Sequence, residues 1–215
     1  MRITWLGHAT FLIETIGKAI YIDPRIDPFS PLKLPKANII LVSHWHPEHC
    51  TRESVERLLG DDTMIFGTAE VARQFNGCIA MKAGDKKTAD GIIIIRAMPA
   101  KTLHHIGGHD EEGFVIGFLI ESEMKKIYYT SDTDLLPEMI GLAPDVVIIP
   151  VGGTMTMTPE EAAKAVCAMK AKIAIPAHWG YTEGTRDDAE LFKEIIEREK
   201  EHRAVILKPG EMVTV

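Results

Sequence analysis

Three histidines and a glutamate stand within six residues of one another, in the run Ser43-His44-Trp45-His46-Pro47-Glu48-His49. The run directly follows residues 39–42, an apolar and β-branched stretch that predicts a buried strand. Imidazoles this close together repel one another when protonated, whereas neutral imidazoles are nitrogen donors that suit zinc, iron, manganese or nickel. The run therefore predicts a fold that gathers strand ends around a metal site. A surface turn that happens to be rich in histidine is the weaker interpretation.

The spacing within the run suggests how two ions could be shared. In extended or turn geometry, residues two apart point the same way, so His44 and His46 can bind one ion. Pro47 prevents a simple continuation of the strand, so Glu48 and His49 are displaced and can reach a second ion.

One loop supplies too few ligands, so further ligands are expected after other apolar strands, where α/β folds gather functional groups. Three places in the sequence meet this condition: the histidines His104, His105 and His109, then Asp132, and finally His178. Each is weak by itself, because Asp132 could be a turn former or a helix cap and His178 a core histidine. Together they form one consistent metal site.

The remaining pattern alternates strands with helices. Strands are predicted at residues 2–6, 11–15, 19–22, 64–66, 78–81, 91–97, 114–121, 126–130, 146–149 and 173–177, with a final strand pair at 204–208 and 212–215 that turns at Pro209-Gly210. Helices are predicted at residues 51–59, 68–75, 159–170 and 187–201. The four consecutive isoleucines at 92–95 suggest a strand buried on both faces. The expected fold class is α/β, a four-layer αββα sandwich in a single domain, residues 1–215, although periodicity alone does not separate it from a doubly wound sheet.

Composition excludes several function classes. The net charge of −7 and the absence of a Lys/Arg cluster argue against nucleic acid as a partner, and the pair Lys86-Lys87 fits a solvated turn. No apolar run approaches the roughly 20 residues of a membrane span, and no signal peptide opens the chain. Three widely spaced cysteines give no disulfide framework. A cytoplasmic protein with a small-molecule substrate is expected, and homo-oligomer formation is left open.

With these motifs in place, the chain resembles the metallo-β-lactamase superfamily of binuclear hydrolases. The resemblance is to a small branch related to the ascorbate-6-phosphate lactonases and the N-acyl-phosphatidylethanolamine-hydrolysing phospholipases. It covers almost the whole chain and rests on Trp5-Leu6-Gly7-His8-Ala9-Thr10, Ile22-Asp23-Pro24, the run from His44 to His49, Thr130-Ser131-Asp132-Thr133-Asp134, Pro150-Val151-Gly152-Gly153-Thr154 and Ile175-Pro176-Ala177-His178.

The resemblance implies two divalent metal ions, zinc being the first expectation and manganese, iron or nickel the alternatives. One ion would take His44, His46 and a histidine of the third motif, for which His109 is preferred over His104 and His105. The other would take Glu48, His49 and His178, with Asp132 bridging both. The pair His104 and His105 could instead flank the substrate. Asp23 would orient a ligand imidazole, with an Asp-Pro turn former as the alternative, and His8 would face the site unless it only forms a hairpin turn.

Two residues depart from the family pattern. The family has H-x-H-x-D-H, whereas this chain has Glu48 in place of the aspartate. The extra methylene disturbs coordination distances that tolerate only about ±0.2 Å. Either the backbone adjusts, or the second ion is held more weakly, or Glu48 acts as a base without binding metal. Ser131 stands where the family usually has glycine.

The expected chemistry is hydrolysis of an ester, lactone or phosphodiester by a metal-bridged hydroxide, with Glu48 and Asp132 as the catalytic carboxylates. His178 or His8 could polarise the substrate, and the backbone at Gly153 and Thr154 could cradle an anion, although a plain tight turn is the simpler interpretation there. A non-catalytic or single-metal binding protein is the main alternative. An oxygen-reducing diiron enzyme is disfavoured, because that relative has a glutamate where this chain has His46.

Overall fold

The computed structural model describes residues 1–103 and 113–215. Most strands of the first half form one seven-stranded sheet, completed by the last strand of the chain. Its strands are β1 (Arg2–Gly7), β2 (Thr10–Thr15), β3 (Lys18–Ile22), β4 (Ala37–Val42), β5 (Leu59–Gly67), β6 (Ile79–Ala80) and β14 (Met212–Thr214). They lie in the order β14-β1-β2-β3-β4-β5-β6, and β3 to β6 run parallel to one another.

A second seven-stranded sheet contains the remaining strands. These are β7 (Lys86–Ala89), β8 (Ile93–Pro99), β9 (Ile116–Ser122), β10 (Lys125–Tyr129), β11 (Val146–Pro150), β12 (Ile173–Ala177) and β13 (Arg203–Ala204). The order is β13-β12-β11-β10-β9-β8-β7, with β10 to β13 parallel. The carboxyl ends of parallel strands in both sheets are therefore available to build a site.

Helices cover the outer faces of the two sheets. The helices α1 (Arg52–Leu58) and α2 (Ala69–Gln74) bury Val55 and Val71 against side chains of the first sheet. The helices α3 (Pro159–Met169) and α4 (Arg186–Arg198) pack on each other and against the second sheet. The main apolar core lies between the sheets and joins residues such as Phe11 and Phe118. The predicted four-layer αββα fold is confirmed.

The helix starts follow the local sequence. Thr51, Thr68 and Thr158 each accept a backbone N–H of the first turn with the side-chain oxygen. At α3 the Glu161 side chain also accepts the Thr158 N–H, which completes a capping box. In the described part of the chain, no helix has the length and apolar character to cross a membrane.

Burial of the isoleucine run differs from the prediction. Within β8, Ile93 and Ile95 are buried, whereas Ile94 on the opposite face is only half-buried, so the strand buries one face fully and the other in part. Ile92 lies in the turn before the strand and is 60% exposed. The half-burial of Ile94 reflects the place of β8 in the sheet. The strand β8 lies next to the edge strand β7, while α3 and α4 contact β11 and β13 at the other end. A run of isoleucine does not reveal which neighbours cover it.

Two other predictions about strands were wrong. Lys86 and Lys87 are exposed as predicted, but they belong to the edge strand β7 and not to a turn. The last two strands form no hairpin: the chain does turn at Pro209-Gly210, but β13 pairs with β12 and β14 pairs with β1 in the other sheet. Strand pairing is non-local, so proximity in the sequence misled the assignment.

Candidate metal centre

Strand ends from both sheets supply the side chains of the site. Asp23 follows β3, the run from Ser43 follows β4, Asp132 follows β10 and His178 follows β12. The predicted residues His104, His105 and His109 lie outside the described residues. Six of the other predicted residues line one cavity, namely His8, His46, Glu48, His49, Asp132 and His178.

Three of these strand ends, and the end of β1 at His8, turn through a left-handed backbone conformation. The φ angles are 48° at His8, 44° at Asp23, 58° at Ser131 and 58° at His178. Each such conformation costs a non-glycine residue about 1–3 kcal/mol, and such strain clusters at functional sites. A φ of 58° is one that glycine adopts more easily than other residues, so Ser131 adopts it here at a cost.

The Asp132 carboxylate lies at the centre of three imidazoles. Its Oδ1 is 3.0 Å from His178 Nε2 and 3.3 Å from His49 Nε2. Its Oδ2 is 3.9 Å from His44 Nε2. All four side chains are buried. This places nitrogen and oxygen donors from three separate strand ends within bonding reach of a shared cation.

His49 is held from behind by Asp23, which is fully buried. The Asp23 Oδ2 accepts from His49 Nδ1 at 2.7 Å, from Ser43 Oγ at 2.6 Å and from the Tyr129 hydroxyl at 2.6 Å. The Ser43 N–H donates to Oδ1 at 2.7 Å. Asp23 therefore fixes the orientation of the His49 ring and leaves Nε2 facing the cavity.

His44 is oriented through the same network. The Ser43 hydroxyl donates its proton to Asp23, so its oxygen accepts from His44 Nδ1, which lies 3.0 Å away. The His44 Nε2 atom then carries a lone pair and is directed at Asp132. The network thus connects two candidate ligands through one buried carboxylate.

His178 has its own carboxylate partner, Glu183, at 2.8 Å from Nδ1. Glu183 is itself held by the Met155 N–H at 2.9 Å, the Thr154 N–H at 3.3 Å and the Thr156 hydroxyl at 3.0 Å. Burial opposes ionisation of Glu183, but the bonds from His178, Met155 and Thr156 lower its pKa. The loop after β11 therefore binds the carboxylate of Glu183, a group of the protein itself.

Close packing in this loop depends on glycine at position 152. A Cβ atom at Gly152 would lie 2.3 Å from Cδ of Glu183, so position 152 requires glycine if Glu183 is to reach His178. Gly153 donates its N–H to the Met157 carbonyl, and the N–H of Thr154 is used by Glu183. An interaction of Gly153 and Thr154 with substrate stays a prediction.

The arrangement demands positive charge. With protons on Nδ1 of His49 and His178, as their carboxylate partners require, the two Nε2 lone pairs face each other across 3.1 Å. Burial alone lowers the pKa of His49, but Asp132 and Asp23 raise it to about 10. In the absence of metal, a proton must therefore neutralise this cluster. A divalent cation would supply the same charge to the same atoms, so the donor set fits a metal site.

Three further predicted residues line the cavity in front of these donors. The cavity has a volume of about 260 Å³ and is lined by His8, His46, Pro47, Glu48, His49, Asp132, Met155 and His178. His46 and Glu48 are half-buried, and the His46 ring lies 4.8 Å from the His44 ring. Among the described residues, two groups of donor atoms that could hold a metal ion are His44 with His49 and Asp132, and His8 with His49 and His178, each within 4.8 Å.

His8 comes closer to the candidate ligands than a hairpin turn requires. Its ring centroid lies 4.1 Å from that of His178, and its carbonyl accepts the His178 N–H at 3.3 Å and the Trp5 indole N–H at 3.0 Å. Burial, followed by the charges of His178 and His49, lowers the pKa of His8 to about 2. His8 is therefore a neutral imidazole at the wall of the cavity.

Sequence reasoning missed Glu183, Ser43 and Tyr129. Ser43 immediately precedes the histidine run and Tyr129 ends the strand before Asp132, so their positions in the chain were a usable signal. Glu183 lies on the loop between β12 and α4, and nothing in the sequence distinguishes it from the glutamates on the surface, although it is buried. It becomes visible only when the loop folds back onto His178.

Comparisons with known proteins agree with this geometry. Residues 2–178 match the family described as the β-lactamase superfamily domain. The UPF0173 metal-dependent hydrolase of Caldivirga maquilingensis is 34% identical over 226 residues, covering 98% of this chain and 96% of that protein. The corresponding protein of Archaeoglobus fulgidus is 34% identical over 230 residues, covering 98% and 97%.

A solved structure has the same fold over the full length. Igni18, described as a novel metallo hydrolase from the hyperthermophilic archaeon Ignicoccus hospitalis, superposes with a TM-score of 0.83 at 26% identity, covering 99% of this chain and 97% of that one. The matched family region contains every described candidate ligand. The chain belongs to the metallo-β-lactamase superfamily and, within it, to the UPF0173 metal-dependent hydrolases.

Proposed function

We propose that this metal-dependent hydrolase holds two divalent ions, zinc in the first place, and cleaves an ester, lactone or phosphodiester bond in a small molecule. The observation that carries the proposal is the convergence of His44, His49 and His178 on the Asp132 carboxylate at the floor of a 260 Å³ cavity. A cavity of this size suits a small substrate group rather than a polymer.

The proposed ligands follow the pattern of the related hydrolases. His44, His46 and the third-motif histidine, preferably His109, would hold one ion. Glu48, His49 and His178 would hold the other, and Asp132 would touch both. When bound, such ions lower the pKa of water from 15.7 towards about 7 and so supply a hydroxide nucleophile at neutral pH.

The protein groups then have separate tasks. Asp132 and Glu48 face the cavity and would orient the attacking water and accept its proton. His8 is neutral, so it would donate a hydrogen bond to the substrate oxygen on which charge develops. Asp23 and Glu183 stay behind the ligands, where they fix the ring orientations of His49 and His178. All of these groups would act within one domain, residues 1–215.

A substrate panel tests the proposal. The protein is loaded separately with Zn²⁺, Mn²⁺, Fe²⁺ or Ni²⁺ and assayed with bis(p-nitrophenyl) phosphate, p-nitrophenyl acetate and simple lactones. Turnover that disappears on chelation and returns with metal supports the proposal. Binding of a single ion without turnover of any substrate would favour a non-catalytic metal-binding protein. The His46→Ala variant is the control, and activity retained in that variant would contradict its ligand role.

The role of Glu48 can be examined separately with the Glu48→Asp variant. If glutamate is a compromise at this position, the shorter carboxylate restores the family pattern, and occupancy of the second ion is expected to stay equal or to rise. Metal content per chain and the metal-dependent increase in Tm measure this. A variant that loses the second ion would show instead that Glu48 is an adapted ligand, positioned by a backbone suited to its length.

A further inference from the structure

A second cavity lies beside the candidate metal centre. Its volume is about 650 Å³, and its walls include Arg25, Arg57, Ser54 and Tyr181. Tyr181 connects the two cavities, because its ring centroid lies 5.6 Å from that of His8, and the His8 ring lies 4.1 Å from that of His178. Only the His8 ring therefore lies between Tyr181, in the wall of the larger cavity, and the candidate ligand His178.

Arg25 presents a positioned guanidinium in this wall. Its Cζ atom lies 3.9 Å from the centre of the Tyr181 ring, and Nη2 donates a hydrogen bond to the Tyr181 hydroxyl. In residues 1–103 and 113–215, no carboxylate lies within ion-pair distance of Arg25. A half-buried guanidinium normally pairs with an anion when one is within reach, so Arg25 has donors to offer a ligand.

The backbone fixes Arg25 relative to the metal centre. The Thr10 hydroxyl donates to the Asp23 carbonyl at 2.7 Å, and the Thr10 Oγ1 accepts the Arg25 N–H at 3.0 Å. Asp23 in turn orients His49 at 2.7 Å. The Arg25 backbone is therefore fixed, through Thr10, to the same residue Asp23 that orients the candidate ligand His49.

Two carboxylates, Asp27 and Glu53, line the same cavity, but neither lies within ion-pair distance of Arg25. Asp27 accepts the Phe29 N–H with Oδ1 at 2.9 Å, and Glu53 is exposed on α1. Arg57 adds a second positive charge, and its contact with a protein oxygen is a long one, 3.5 Å to the Asp27 carbonyl. The cavity thus holds two guanidinium groups and two carboxylates, and the Arg25 guanidinium forms no ion pair with a described residue.

We propose that Arg25, stacked on Tyr181, binds an oxyanion group of the substrate, so that the hydrolase prefers small molecules that carry a carboxylate or phosphate at a distance from the scissile bond. This inference rests on the proposed hydrolytic function and names the substrate class for the same site. The planar guanidinium suits both oxyanions, because it donates two parallel hydrogen bonds to either.

Binding and turnover test the inference by separate routes. For turnover, the metal-loaded protein is assayed with p-nitrophenyl hydrogen adipate, which has a carboxylate tail, and with p-nitrophenyl hexanoate, which has a neutral tail. For binding, Kd is measured for ω-phosphonohexanoate, which has a carboxylate tail, and for hexylphosphonate, which has a neutral tail. A third probe, hexane diphosphonate, has a phosphonate in place of the carboxylate tail. Arg25→Gln is expected to raise KM for the adipate ester, and Kd for the two-ended anions, by about tenfold or more. The values for the neutral-tailed probes are expected to stay within about twofold.

Matched variants separate this effect from loss of folding. Arg52 also lies over an aromatic ring, 5.4 Å from the centre of Phe75, but does not line the cavity, so Arg52→Gln should change none of these values. Arg25→Lys keeps the charge without the planar fork and should give an intermediate loss. Equal affinities in wild-type protein, Arg25→Gln and Arg25→Lys would overturn the subsite. Binding that depends on Arg25 without hydrolysis of any ester would keep the subsite and reject the proposed reaction for these esters.

Discussion

Replacement of Asp132 with asparagine is expected to abolish metal-dependent hydrolysis, with a loss of kcat/KM well above a hundredfold. The carboxylate lies 3.0 Å from His178 Nε2 and 3.3 Å from His49 Nε2, and is the only acidic group in the two candidate metal-binding clusters of the described residues. Loss of a group that merely orients a ligand costs about 10–100-fold in metal affinity or activity, so loss of a shared ligand should cost more. The amide has the same shape but lacks the negative charge that binds a cation.

The same variant should lose metal-dependent stability. A ligand that binds only the folded state at a concentration a hundred times its Kd stabilises that state by about 2.7 kcal/mol. Added Zn²⁺ is therefore expected to raise the Tm of the wild-type protein and to leave the Tm of Asp132→Asn almost unchanged. Near-ultraviolet circular dichroism checks that the variant is folded. Wild-type activity in a folded Asp132→Asn protein would remove this residue from the site.

Replacement of Asp23 with asparagine should weaken both the metal site and the fold. Its carboxylate accepts four hydrogen bonds from three residues, Ser43, His49 and Tyr129, all within the core. An amide nitrogen cannot accept, and each buried donor left without an acceptor costs about 1–3 kcal/mol. We expect the free energy of unfolding to fall by at least about 2 kcal/mol. Metal affinity should fall by about 10–100-fold, because His49 loses its orienting partner.

Tyr129→Phe is the matched control for Asp23→Asn. It removes one of the four donors and leaves the contact of Asp23 with His49 in place. Stability should decrease, whereas metal affinity should change by only a few-fold. Chemical denaturation measures the first quantity and competitive chelator titration the second. If both variants lose metal affinity equally, the effect arises from general loosening of the core and not from orientation of His49.

Much of the site was predictable because its chemistry is local. The run from His44 to His49 is dense in donor atoms, and Asp132 and His178 each follow an apolar strand, so the sequence carried a signal for each. The residues behind the ligands were harder to predict. The partner of His178 could not be identified, because Glu183 reaches it only when its loop folds against Gly152.

The strands, helices and layers of the fold were predictable. The pairing of strands and the coverage of each sheet by helices were less so. Helix starts such as Thr158 have a local cause, the side-chain cap, and were placed correctly. The pairing of β14 with β1 joins the two ends of the chain, a contact that no local pattern encodes. The partial exposure of Ile94 similarly depends on how far the distant helices α3 and α4 extend over the sheet.

Elemental analysis of the protein tests the central claim most directly. The chain is purified without chelator, incubated with Zn²⁺ and then desalted, and the metal content per chain is measured. If imidazoles and carboxylates from separate strand ends share a pair of cations, two equivalents should remain bound. A metal content at background, with no change in Tm on adding Zn²⁺, Mn²⁺, Fe²⁺ or Ni²⁺, would contradict the metal centre around Asp132.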